Sequence, residues 1–553
     1  MNESIEESAI KVAGTMLLAC GSIVFLGVVL VFGIAKYRPQ LLETKMSRSW
    51  IPGALAMVGI LIFASHALAP TAIRFPFALG AFWCFSGSIA LLSFPVWKRL
   101  ISSRAITVAS LPVKTLRVVR ESAPRGNLAF IGSSIRSGSP IHLTEEERVM
   151  HVLVSGSTGS GKTTVLKALF QDAVEKGQPV LIIDPKGNNK TIAELRATAE
   201  SAGVAGERFK VFSLIQPHSS VRYNPLDRGS SIQIRDRLMG ALEWSEPYYK
   251  HQASAWIGTA IDLLRSANLP VTIKRLHRLL ADGKAAEEIE DLVRSMDDKA
   301  RGKAILGLLQ TVVRTNREGL SGLTAQLRDL DNLDFGFILD PETAVEQNAT
   351  IDLVKAIENR EVVYFQLNTM AYEFAAKVIG RLVLQDLKAL ASQIHGGQTP
   401  IEPTFFPIFI DEFGSFAFQG FIDFLKMSRD VGMANHLFFQ SLADLDAITP
   451  EFKSQVQQNC LTKLILRTDD PAEVDFWAGV AGTRDSVESS YQVESFLGWR
   501  VRTGAGNMRF TKQMRVEHDV FKRLRIGQAV MIQKAPARED LIQLWNPVIG
   551  SIR

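Results

Sequence analysis

The sequence predicts an α/β fold: a domain on a parallel-rich central sheet, with an inserted all-helical domain and N-terminal transmembrane helices. Three observations carry this. From about residue 149 onward, short apolar runs rich in β-branched and aromatic residues alternate with helical stretches. One long stretch, about 232–339, shows helical periodicity and no strand signal. Three nearly uncharged apolar runs occupy the first hundred residues.

The strand runs are His151–Ser155, Pro179–Asp184, Phe209–Ser213, Val362–Leu367, Phe405–Asp411, His436–Gln440, Lys463–Arg467 and Ala529–Gln533. They are almost continuously apolar rather than alternating. That is the pattern of strands buried on both faces, as in a parallel sheet covered by helices. Residues 149–231 and 340–553 are assigned to this domain on that basis. Residues 98–148 read as a linker and short strands, rich in Ser, Gly and basic residues. The inserted stretch carries helix caps, such as Thr272 before a periodic run and a stop at Asp282-Gly283.

The apolar runs span about 12–35, 51–70 and 75–97. Each approaches the ~20 residues needed to cross the hydrocarbon core. Glu3, Glu6 and Glu7 precede the first run where a cleaved signal would carry basic residues. Lys36, Arg38, Lys45 and Arg48 follow the first run, and Lys98, Arg99 and Arg104 follow the third. By the positive-inside rule, three spans place everything after Trp97 in the cytoplasm. Two spans, with a merged second hairpin, remain the alternative.

Composition narrows the function. The length of 553 residues implies two to four domains at ~150 residues each. A net charge of +5 is too mild to prove a nucleic-acid partner. The three cysteines, Cys20, Cys84 and Cys460, form no CxxC pair, which argues against a disulfide framework or a zinc site.

The chemistry is concentrated in a few motifs. Gly156-Ser157-Thr158-Gly159-Ser160-Gly161-Lys162-Thr163 matches G-x-x-x-x-G-K-[ST], with an apolar strand before it and a helix former from Thr164 after it. Glycines let the backbone N–H groups turn inward on phosphate oxygens, and the helix N-terminus adds positive charge. Lys162 is expected to reach the β- and γ-phosphates, with Thr163 on Mg²⁺. Such a loop needs a strand ending in an acid. Asp184 lies 22 residues past Lys162 and is followed by Pro185. Asp411-Glu412 lies 249 residues past it and supplies both a metal-associated carboxylate and a base for water. The loop and the Asp411 strand are expected to adjoin. Gln440 ends another strand and is placed to sense the γ-phosphate. Arg429 and Arg467 are both candidates for a guanidinium acting from a neighbouring subunit.

Taken together, the membrane runs, the Gly156–Thr163 loop, Asp184-Pro-Lys-Gly187, the helical insertion, Asp411-Glu-Phe-Gly414, Phe439-Gln440-Ser441 and Leu524-Arg-Ile-Gly-Gln-Ala529 resemble the TraG/TraD-like type IV coupling proteins. The resemblance implies a RecA-like domain and a membrane-anchored homohexamer in the bacterial inner membrane. It implies ATP and Mg²⁺ as cofactors. It further implies that relaxase-bound single-stranded DNA is pumped into a type IV secretion channel during conjugation. By position, Lys162 and Thr163 match the Walker A pair, Asp411 and Glu412 the Walker B pair, and Gln440 the sensor glutamine. Arg429 resembles the arginine finger. Here Asn188 stands where many relatives carry an acid. Alternatives are a receptor ATPase for protein substrates and an FtsK-type double-stranded DNA translocase. Basic residues of the insertion, among them Lys274, Arg275, Arg278, Arg294 and Arg317, can hold phosphates, but acidic residues are interleaved with them.

Overall fold

The structure, a computed structural model, describes residues 126–547 except 282–283, 316–317, 345–349 and 497–498. The three predicted membrane runs, the Asp282-Gly283 stop and Arg317 lie outside the described residues. Among the described residues, no helix is long and apolar enough to cross a membrane.

Among the described residues, eleven strands form the central sheet. In chain order the strands of the molecule are β1 (Leu128–Ser134), β2 (Pro140–Thr144), β3 (Val152–Ser155), β4 (Val180–Asp184), β5 (Phe209–Ser213), β6 (Arg222–Tyr223), β7 (Thr350–Ile351), β8 (Val362–Gln366), β9 (Phe406–Ile410), β10 (Met433–Phe439), β11 (Thr462–Ile465), β12 (Thr483–Phe496), β13 (Trp499–Met514), β14 (Gln528–Lys534) and β15 (Ala537–Leu544). The sheet order is β2-β1-β15-β14-β11-β3-β10-β9-β4-β8-β5. The seven strands from β11 to β5 run parallel. An antiparallel set of β14, β15, β1 and β2 extends the β11 edge.

Successive residues of each central strand enter opposite cores, as the two-residue period requires. Leu153, Leu181 and Ile183 join one core with the long helix Glu373–His395. Val152, Val154, Val180 and Ile182 join the other, which holds the helix Lys162–Glu175. Helices on both faces explain why these strands read as unbroken apolar runs.

Between β6 and β7 the chain is helical, with helices at Ser231–Ala241, Pro247–Ser266, Ile273–Ala281, Lys284–Arg294, Lys299–Arg314 and Ser321–Leu330. A two-residue parallel ladder, Arg222 to Thr350 and Tyr223 to Ile351, closes its neck. Beside the neck, Asp386 is buried among Arg228, Arg237 and the Tyr223 hydroxyl, which donates to it over 2.9 Å. β12 and β13 form a separate two-stranded hairpin from Thr483 to Met514.

Candidate functional site

A parallel sheet delivers the ends of its strands to one edge. Here that edge receives the loop after β3, Asp184 at the end of β4, Gln366 at the end of β8, Asp411 after β9, Gln440 after β10 and Arg467 after β11.

The loop after β3 curls tightly. Gly159 and Gly161 take φ of +74° and +116°, where a side chain is strained. Gly156 packs so closely that a Cβ there would lie 2.7 Å from Leu466 Cβ. Two neighbours hold the loop from outside: Ser157 N donates to Arg467 O over 2.9 Å, and Gly527 N donates to Ser160 O over 3.2 Å. Lys162 folds back over the loop, its Nζ donating to Gly156 O at 2.6 Å. Burial lowers the pKa of Lys162, with Lys186 pushing the same way against the charges of Glu412 and Asp411. Thr163 faces solvent and Thr164 is half-buried. The hydroxyls of Ser157 and Ser160 are buried without a hydrogen-bond partner. Orphaned donors and a basic amine around a glycine curl fit a phosphate group.

The strand order corrects one expectation. β9 does not adjoin β3; β10 lies between them. The consequence is chemical, because β10 ends in Gln440, and this side chain bridges the two halves of the site. Thr158 Oγ1 donates to Gln440 Oε1 over 3.0 Å, and Gln440 Nε2 donates to Glu412 Oε1 over 2.8 Å. Lys186 Nζ lies 2.6 Å from Glu412 Oε1 and 3.2 Å from Asp411 Oδ2. Thr158, Gln440, Glu412, Lys186 and Asp411 are therefore one continuous network across the mouth of the loop.

Burial raises the pKa of Asp411, and the charges of Asp184 and Glu412 add to that rise while Lys186 opposes it. Partial burial alone would lower the Lys186 ammonium, but Asp411 and Glu412 outweigh it and hold it raised. Glu412 sits at φ 44° and ψ 51°, a left-handed conformation in a non-glycine residue. Such strain persists only where the surroundings impose it. Asp184 is engaged locally, accepting from Tyr364 Oη over 2.5 Å and from Lys186 N over 2.8 Å.

The two arginines go to different places. Arg467 lies against the loop of its own chain, and its Nε is buried without a partner. Arg429 lies at the start of β10, the opposite edge of the sheet, with Nη1 3.7 Å from Met150 Sδ and Nε 3.8 Å from Asp430. The structure does not bring it to its own chain's loop.

Two residues, one in the network and one beside it, carry roles that the sequence left unassigned. Lys186 was visible only as part of Asp184-Pro-Lys-Gly187; its position two residues past a strand-ending acid was the available signal. Glu473 is buried and accepts from Ser441 Oγ over 2.6 Å and Thr468 Oγ1 over 2.9 Å, tying the helix Pro471–Ala481 to the residue after Gln440. Nothing in its local sequence marks it. Among the described residues, no cluster of three His, Cys, Asp or Glu side chains can hold a metal by itself.

Residues 129–239 match the family model of the central domain of the helicase HerA, and residues 406–525 match the TraM recognition site of TraD and TraG. In these two regions the chain resembles TraG/TraD-like coupling proteins. A curated relative is the type 4 coupling protein DotL of Legionella pneumophila, 22% identical, with 74% of this chain and 60% of DotL covered. The chain thus spans about 60% of that relative's length. Among solved structures, the unbound bacterial conjugative coupling protein TrwBdeltaN70 superposes with a TM-score of 0.53 at 14% identity, covering 78% of this chain and 94% of that one. The plasmid coupling protein TrwB with the non-hydrolysable GTP analogue GDPNP gives 0.50 at 14% identity, covering 78% and 95%. At that identity these likenesses establish the α/β fold with its parallel-rich sheet.

Proposed function

We propose that this chain is an ATP-hydrolysing coupling protein that hands relaxase-bound single-stranded DNA to a type IV secretion channel. The observation that carries the proposal is the side-chain network from Thr158 through Gln440 and Glu412 to Asp411. It joins a phosphate cradle to a carboxylate pair although 249 residues of chain separate Lys162 from Asp411. The likeness to coupling proteins supports the substrate and the channel as partners.

In this reading the triphosphate takes the loop amides, Ser157, Ser160 and Thr164. Lys162 leaves the Gly156 carbonyl for the phosphates. Mg²⁺ arriving with the nucleotide would be held by Thr163 and Asp411, and it neutralises charge on the phosphoryl oxygens. Glu412 accepts the proton of the attacking water, and Gln440 orients that water. Arg429 sits on a face remote from its own loop, which favours a role in trans within a homohexamer. Arg467, beside the loop of its own chain, is the second candidate. The uncharged runs at 12–35, 51–70 and 75–97 anchor the chain in the inner membrane with the ATPase domain in the cytoplasm.

The test is ATP turnover by the full-length chain, with and without single-stranded DNA, across protein concentrations, and Lys162→Ala as control. Turnover that rises with DNA and with concentration, and vanishes in Lys162→Ala, is the expected result. Stimulation by a protein substrate alone would replace the DNA reading with the receptor reading. Absence of any turnover would overturn the ATPase.

A further inference from the structure

The carboxylate end of the site already holds a cation. Lys186 Nζ is within 3.2 Å of both Asp411 and Glu412. Its side chain is about half exposed, at 49%, yet its ammonium turns inward to the carboxylates. The turn that aims it is built for the purpose. Lys186 N donates to Asp184 Oδ1 over 2.8 Å, and Gln366 Nε2 donates to Gly187 O over 2.8 Å. Gly187 takes φ +68°, a left-handed conformation that strains other residues, and a Cβ there would also press on Ile215 Cδ1 at 2.5 Å. The Glu412 oxygen that meets Lys186 also accepts from Gln440. That oxygen therefore meets two donors at once.

We propose that Lys186 is a positioning residue: a resident cation that occupies the Asp411–Glu412 pair until metal-bound nucleotide displaces it. The inference rests on the ATPase reading above. A divalent cation and an ammonium compete for the same Asp411 oxygen, so binding of one weakens the other. Displacement of Lys186 also removes one of the two donors on Glu412 Oε1.

The consequence is measurable without turnover. A half-exposed ion pair is screened by solvent, so the competition is modest, about three- to tenfold. The full-length chain is titrated with a fluorescent non-hydrolysable ATP analogue over a range of Mg²⁺ concentrations, and again in EDTA. For Lys186→Gln and Lys186→Ala, the Mg²⁺ needed for half-saturation should fall about three- to tenfold, while analogue affinity in EDTA stays within about twofold of wild type. Lys186→Arg keeps the charge and should restore the wild-type Mg²⁺ requirement. Intact analogue binding with an unchanged or higher Mg²⁺ requirement in both neutral variants overturns the displacement, as does a fall in Lys186→Arg equal to theirs. Failure of the wild-type chain to bind the analogue at any Mg²⁺ concentration overturns the ATPase reading itself, and the displacement with it.

Discussion

Asp172 lies on the helix that begins with Lys162, and its loss should loosen that helix from the sheet. Arg148 Nη1 meets Asp172 Oδ2 at 2.9 Å, with side-chain exposures of 0% and 2%. Arg148 Nε also donates to His436 Nε2 over 3.3 Å. Lys176, with 16% exposure, reaches the same Asp172 oxygen at 3.0 Å. The pair is incompletely satisfied, since Arg148 Nη2 and Asp172 Oδ1 are both buried without partners. Asp172→Leu takes the directly paired counter-charge from a fully buried guanidinium and leaves it the weaker influence of Glu145, at a cost of about 3–5 kcal/mol. Arg148→Met leaves Asp172 with Lys176 and should cost less, about 1–3 kcal/mol. Replacing both by apolar residues removes both desolvation penalties, so the double variant should lie within about 1 kcal/mol of wild type. Thermal unfolding reads this as a fall in midpoint of roughly 5–10 °C for Asp172→Leu, largely recovered in the double variant. If Arg148→Met is the more damaging single change, or the double variant is as unstable as Asp172→Leu, the argument from uncompensated burial is wrong.

Further outcomes follow from other parts of the site and core. Glu412→Gln keeps an acceptor for Gln440 but loses the base, so single-turnover hydrolysis should slow about 10²–10⁴-fold with nucleotide still bound; wild-type single-turnover rates would remove Glu412 from that role. Gly156→Ala puts a Cβ 2.7 Å from Leu466 Cβ and 2.8 Å from Ser160 Oγ, and nucleotide affinity should fall about tenfold; equal affinity would mean the loop is not as tight as described. His151 is buried, and burial with the nearby Arg429 charge lowers its pKa to about 4 against the opposing hydrogen bond to Leu425 O. Its neutral form is favoured in the fold, so its contribution is complete above pH ~6.5 and is lost as pH falls towards 4, up to about 3 kcal/mol. Unfolding midpoints measured from pH 7.5 to 4.5 should drop across that window, and a flat profile would contradict it.

Much of the central sheet was legible because burial on both faces leaves an apolar signature that no neighbour can disguise. The run Phe209–Ser213 is β5 itself, and His436–Gln440 lies within or just past β10, which begins earlier, at Met433. β15 was hidden because its first half, Ala-Arg-Glu-Asp, is charged and only its second half is buried. β12 escaped for a related reason. The hairpin pairs with its own second strand, so residues such as Arg484, Asp485 and Ser486 need no apolar alternation. Motif residues such as Lys162 and Asp411 are local signals and could be named from the chain alone. Their relative placement is a tertiary fact: nothing local says that β10 intervenes. The pairing of Lys186 with Asp411 across 225 residues, and of Glu473 with Ser441 across 32, is equally invisible to a linear reading.

Glu473 has a mechanical corollary. The helix it fastens beside Gln440 runs through Ala481 directly into β12 by way of Gly482, at φ +86°. A 14-residue strand extends about 46 Å at 3.3 Å per residue. Tilting that helix by only about 5° would sweep the outer rungs of the ladder through about 4 Å, comparable to the rise of one residue along a strand.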